Sequence, residues 1–116
     1  YLQKMVLIAA PSDQKMIFEN YVKLLSLSAS VFTGIDTYFQ ELFGYSLDAF
    51  SGRNFAKKIT IPTLIIHDHT DTSVLYEESQ KIFSNLPKAT MHSTNALDHS
   101  MQNDDLNTLI FRFLFK

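Results

Sequence analysis

With 116 residues, 46% of them apolar and 19% charged, the chain is long enough for one small domain with a single core and lies in the globular range rather than the disordered one. A formal net charge of −2 argues against a basic face for nucleic acid or an anionic membrane, and the absence of cysteine excludes a disulfide framework, a thiol nucleophile and a Cys-type zinc site. The apolar runs fall far short of the roughly 20 residues that span a bilayer. No charged segment followed by an apolar stretch opens the chain, so no signal peptide is visible and the reading is a cytoplasmic protein with no membrane partner.

The chain starts at Tyr1 and runs almost at once into the apolar residues 5–10, so it is expected to be a piece of a longer protein. Residues 2–10 (LQKMVLIAA) are closed by Pro11-Ser12-Asp13, which fits a strand buried on both faces of a parallel sheet. Two helical patterns follow. Ile17, Phe18, Tyr21, Val22, Leu24 and Leu25 line one face; Val31, Ile35, Tyr38, Phe39 and Leu42 line the other, with Gly44 as a stop. Residues 45–58 read as irregular, with a short helix after Ser46. Residues 61–67 (IPTLIIH) read as a second buried strand, Pro62 standing at its start where a missing N–H is tolerable. A polar loop, 68–73, leads to a helix over 76–86 with Ser79, Ile82, Phe83 and Leu86 inward, ended by Pro87. Residues 89–93 form a third strand and 94–100 a loop. Leu106, Leu109, Ile110, Phe113 and Leu114 then mark a closing helix at i, i+3, i+4 spacing. Strand alternating with helix predicts an α/β domain: about three parallel strands with flanking helices.

In open α/β sheets, functional groups gather in loops past the carboxyl ends of the strands. Two loops qualify: His67-Asp68-His69-Thr70-Asp71, and Leu97-Asp98-His99. Parallel strands put both on one edge, where Asp71 and His99 can meet. An aspartate beside a histidine is what a general base needs, because the carboxylate fixes the imidazole tautomer and stabilises the imidazolium.

Residues 61–74, IPTLIIHDHTDTSV, resemble the α/β-hydrolase pattern in which a strand is followed by His-Gly/Asp-x-x-Asp-x-x-Val-Pro; its second Asp falls on Asp71. Residues 94–99, TNALDH, resemble the same family's Thr-x-Gly-Leu-Gly-His, whose His falls on His99. The closing helix with Phe113-Leu114 and the opening VLIAAPSD resemble that family too. The resemblance implies a partial α/β-hydrolase fold, the part after the nucleophile elbow, with residues 13–57 as a helical cap insertion. It also implies an ester or related acyl substrate, Asp71 and His99 as acid and base of a Ser-His-Asp triad, and no cofactor. The Gly-x-Ser-x-Gly elbow is absent, since no serine here has flanking glycines. It would lie in a missing N-terminal half, and the chain alone would be inactive. Asp98 replaces the usual Gly before the histidine and Leu75 the usual Pro. In this family the strand matching residues 2–9 pairs with the one leading to the serine. Here it is expected to be an open edge, closed by a two-fold homodimer or else covered by the cap region.

Other readings remain. Asp71 also fits an Asx-turn, and His99 a surface loop. His67 fits a packed structural histidine, Asp68 a turn residue and His92 an exposed strand residue. Phe32, Tyr38, Phe39, Phe43, Tyr45 and Phe50 fit either plain core or an acyl pocket. His67-x-His69-x-Asp71 matches the start of a metallo-β-lactamase metal motif, although Thr72 stands where a further His ligand belongs. A non-catalytic interaction module is the third class.

Overall fold

A computed structural model describes residues 1–116. The chain runs β1 (Met5–Ile8), α1 (Gln14–Leu24), α2 (Ala29–Phe43), a 3-10 turn (Leu47–Ala49), α3 (Gly52–Ala56), β2 (Thr63–Asp68), α4 (Tyr76–Phe83), β3 (Ala89–Thr94) and α5 (Asp104–Phe115). The three strands form one parallel sheet in the order β1-β2-β3. Every residue of β2 is buried, as expected of a central strand covered on both faces, and this explains its unbroken apolar run.

Side chains alternate across the sheet and build a core on each face. Leu64 and Ile66 join Ala9, Met101 and Leu106 beneath α5. Ile65 joins Ala56, Ile82 and Leu86 beneath α3 and α4. Helix α5 begins where Asn103 accepts a bond from the Leu106 N–H at 3.1 Å, with Asp104 and Asp105 in its first turn favouring the positive end of the helix dipole.

Helices α1–α3 occupy the long crossover from β1 to β2. Its two ends are braced against each other by a bridge between Asp13 and Ser51. Gly52 fits closely there: a Cβ would sit 3.1 Å from the Ser12 carbonyl oxygen, and that backbone would have to give by a few tenths of an ångström. Gly44 ends α2 as expected, in the left-handed region at φ 75°.

Several expectations need correction. Strand β1 stops at Ile8 and α4 at Phe83, and residues 52–56, read as irregular, form α3. Of the α1 face only Val22 is buried; Tyr21, Leu24 and Leu25 are exposed. Helix α1 packs mainly on α2 and the 3-10 turn, and much of its apolar stripe stays exposed. None of the six aromatics read as core or pocket is buried; Phe39 touches Phe43 and Phe50, but Tyr38 and Tyr45 face solvent. In α4, Phe83 is exposed while Glu78 is buried. No helix is long and apolar enough to cross a membrane.

Candidate active site

The carboxyl ends of β2 and β3 lie side by side, with Asp68 opposite Thr94. One further rung, from the His69 N–H to the Thr94 carbonyl at 3.0 Å, carries the pairing past the strands before the two loops diverge. This brings Asp71 and His99 together. His99 Nδ1 lies 2.8 Å from Asp71 Oδ2, and since a carboxylate can only accept, Nδ1 carries the hydrogen. The other ring nitrogen is left unengaged on a side chain that is 47% exposed, whereas the Asp71 side chain is fully buried.

Asp71 accepts three hydrogen bonds. Oδ1 accepts the N–H groups of Ser73 and Val74, both at 2.9 Å, so the Asx-turn reading and the partner-of-histidine reading describe the same residue. Oδ2 accepts from His99, and His67 Nε2 lies 3.2 Å from the same oxygen. Burial pushes the Asp71 carboxyl up, but the Val74 N–H, His99 and the Ser73 N–H outweigh it and hold it below the ordinary carboxylate value.

His67 is fully buried. Its Nε2 donates to the Val74 carbonyl at 2.8 Å, and its Nδ1 takes the Ser79 hydroxyl hydrogen. With both nitrogens spent and its ring edge-on to Tyr76, it braces the loop that carries Asp71. His69 stacks on Tyr76 with ring centroids 4.0 Å apart. His67, His69 and Asp71 therefore do not converge as a metal site: no group of three or more His, Asp or Glu side chains is arranged to hold an ion. His92 is exposed on β3.

The loop carrying His99 is unusual in its backbone. Ala96, Asp98 and Met101 all have positive φ, 66°, 57° and 50°. Positions 96 and 98 are those where the resembled motif carries glycine, so Asp98 replaces a conformational glycine with a residue that tolerates the left-handed region. Its side chain is exposed and forms no ion pair with His99. In the sequence Asp68 reads only as a local turn residue. The structure buries it completely and ties it both to Thr70, in its own loop, and to Thr94 and Leu97, at the start of the next. Nothing in the sequence marks so distant a pairing. Beside the acid loop, Ile17, Tyr21, Leu24, Thr72, Ser73 and Leu75 border a cavity of about 480 Å³ between α1 and residues 72–75.

Neither a protein-family model nor any curated protein sequence matches the chain. Solved structures do. An α/β-hydrolase enzyme from the metagenome of lagoon sediments at Mar Chica, Morocco, superposes with a TM-score of 0.62 at 17% identity, covering 96% of this chain and 49% of its own. An esterase domain of a Rhodothermus marinus protein gives 0.59 at 19% identity over 97% and 47%. Mouse α/β-hydrolase domain-containing protein 10 gives 0.56 at 17% over 95% and 50%. At these identities the likeness establishes the fold: the chain has the α/β-hydrolase fold and spans about half the length of the solved structures it matches.

Proposed function

We propose that this chain is the C-terminal part of a serine hydrolase acting on an ester or related acyl bond, with residues 13–57 as its cap. The observation that carries the reading is the 2.8 Å contact between a buried Asp71 carboxylate and the Nδ1 of a half-exposed His99. Asp71 holds the imidazole in the tautomer whose Nε2 is free to accept. His99 takes the proton of a serine hydroxyl as that oxygen attacks the acyl carbon, then returns it to the leaving alcohol; water repeats the cycle to release the acid. The serine and the oxyanion-binding N–H groups belong to a preceding half of the parent protein. The cavity beside the acid loop, lined by Ile17, Tyr21 and Leu24, suits an apolar acyl portion.

The shape of the chain supports a missing partner. Its accessible surface of 7669 Å² exceeds by about 1,200 Å² that of a compact protein of its mass, an excess the size of a protein interface. Its radius of gyration of 15.9 Å exceeds the roughly 13 Å of a compact domain of this length. The test is a p-nitrophenyl ester assay on the chain alone and on the parent protein. The chain alone should not exceed background; the parent should turn over, and His99→Ala in the parent should abolish turnover. Turnover by the purified chain that disappears in His99→Ala would refute the claim that the nucleophile lies elsewhere.

A further inference from the structure

We propose that Asp68 is a positioning residue for His99, its carboxylate clamping the loop that carries His99 onto the loop that carries Asp71. The inference rests on the acid–base reading of Asp71 and His99 and adds to it the group that makes their meeting possible.

Asp68 is the last residue of β2 and is fully buried. Its two oxygens are divided between two segments. Oδ1 accepts the N–H of Thr70 at 2.8 Å and the Thr70 hydroxyl, both in the loop leading to Asp71. Oδ2 accepts the Thr94 hydroxyl at 2.6 Å and the Leu97 N–H at 2.9 Å, at the start of the loop leading to His99. Leu97 stands two residues before His99, and its bond to Asp68 is the one side-chain hydrogen bond reaching the backbone of residues 95–98 from another segment. That backbone needs holding. Left-handed residues other than glycine at 96, 98 and 101 are disfavoured and persist only where the surroundings impose them. Leu97 and Met101 anchor the loop in the core beneath α5, but apolar contacts do not set the direction of a loop backbone. Asp68 does.

The chemistry calls for a carboxylate. Four donors converge on the side chain, and an ionised carboxylate can accept from all of them, whereas an amide offers one oxygen and two donors. Burial pushes the Asp68 carboxyl up, but the Thr70 and Thr94 hydroxyls and the Leu97 and Thr70 N–H groups outweigh it and hold it well below the usual carboxylate range.

The experiment reads His99 directly in the 116-residue chain, by NMR of ¹⁵N-labelled histidine side chains, with circular dichroism to follow the fold. In the unsubstituted chain His99 should show a protected Nδ1–H that disappears in Asp71→Asn. In Asp68→Asn the native spectrum should persist while the His99 Nδ1–H exchanges with water roughly five- to tenfold faster, the effect of one net hydrogen bond on a local opening equilibrium. Thr94→Val, which deletes one of the four bonds, should shift His99 in the same direction by less, and it carries the test alone if Asp68→Asn fails to fold. A His99 signature present in the parent sequence and unchanged in both variants, even with a lowered unfolding midpoint, would overturn the positioning role and leave the acid–base reading standing. Absence of any Asp71-dependent signature in the unsubstituted chain would bring down both.

Discussion

Replacing Asp71 separates its two jobs, holding its own loop and holding His99. The Ser73 and Val74 N–H groups, both 2.9 Å from Oδ1, have no other protein partner in this turn. Alanine removes two hydrogen bonds to a charged carboxylate, worth about 1.5–3 kcal/mol each, so Asp71→Ala should cost roughly 3–6 kcal/mol. Asparagine can place its oxygen where Oδ1 stood. The two backbone bonds survive without charge assistance, a loss of about 1–2 kcal/mol for the pair. The new amide then faces His67 and His99. His67 retains the Val74 carbonyl at 2.8 Å and is little disturbed. His99 has no second acceptor for Nδ1–H, and escapes the donor–donor clash by moving the hydrogen to Nε2. Asp71→Asn is therefore expected to be clearly more stable than Asp71→Ala but to carry His99 in the opposite tautomer, the one that cannot serve as base toward a serine. Urea unfolding at neutral pH measures the first outcome and long-range ¹H–¹⁵N correlation of the imidazole the second. Equal stabilities, or a His99 that keeps Nδ1–H in Asp71→Asn, would refute the reasoning.

Ala96→Gly should raise stability by about 0.5–1 kcal/mol, because relief of a left-handed alanine, worth roughly 1–2 kcal/mol, exceeds the added entropy of an unfolded glycine; a lower urea midpoint would show that the 66° backbone is not strained. Asp68, Asp71 and Glu78 are all held below their ordinary values, Glu78 because bonds from Lys81 and Ser12 outweigh the upward push of burial. Lowered carboxyls stabilise the fold fully above their unfolded values near about 4 and lose that contribution as pH falls. The urea midpoint should therefore drop steeply below about pH 4; a midpoint maintained at pH 3 would contradict the shifts. Met5 and Ala9 donate toward β2, so the alternating Val6 and Ile8 present their backbone groups to an edge that no strand of the chain covers. Without a preceding half, two copies are expected to pair along this edge as a dimer by size-exclusion chromatography with light scattering. Val6→Pro should weaken it while sparing the intrachain ladder, and a monomer at high concentration would count against the pairing.

What could be read from the residues depended on whether the physics was local. Strand β2 was legible because burial on both faces demands an unbroken apolar run, and α5 because a helix covering a sheet needs a stripe at i, i+3, i+4. Helices α1 and α2 carry similar stripes, yet Leu24 is 77% exposed and Tyr38 62%. A stripe records which face is apolar, not whether a partner is present to bury it. Glu78 shows the opposite case: hydrophobic periodicity gives no reason to bury a glutamate, but the Ser12 N–H and hydroxyl draw it in. No pattern around residue 78 announces a serine 66 positions away.

The site divides in the same way. The meeting of Asp71 and His99 was legible because each sits in a short motif at the end of a strand, and parallel strands put those ends on one edge. The device that fixes their distance was not legible. Asp68 shows in sequence as half a turn, the half it makes with Thr70; the half that matters to His99 spans 29 positions to Leu97 and exists only once β2 and β3 have paired. The signal nearest to it lies in the residues at 96 and 98. Where a loop must take up left-handed backbone, glycine lets it do so at little cost. A chain with alanine and aspartate there needs an external hold, and a buried carboxylate at the neighbouring strand end supplies one. Strain at Ala96 and full occupancy of Asp68 are thus two sides of one arrangement. Ala96→Gly should accordingly lessen the effect of Thr94→Val on His99, a coupling that independent sites would not show.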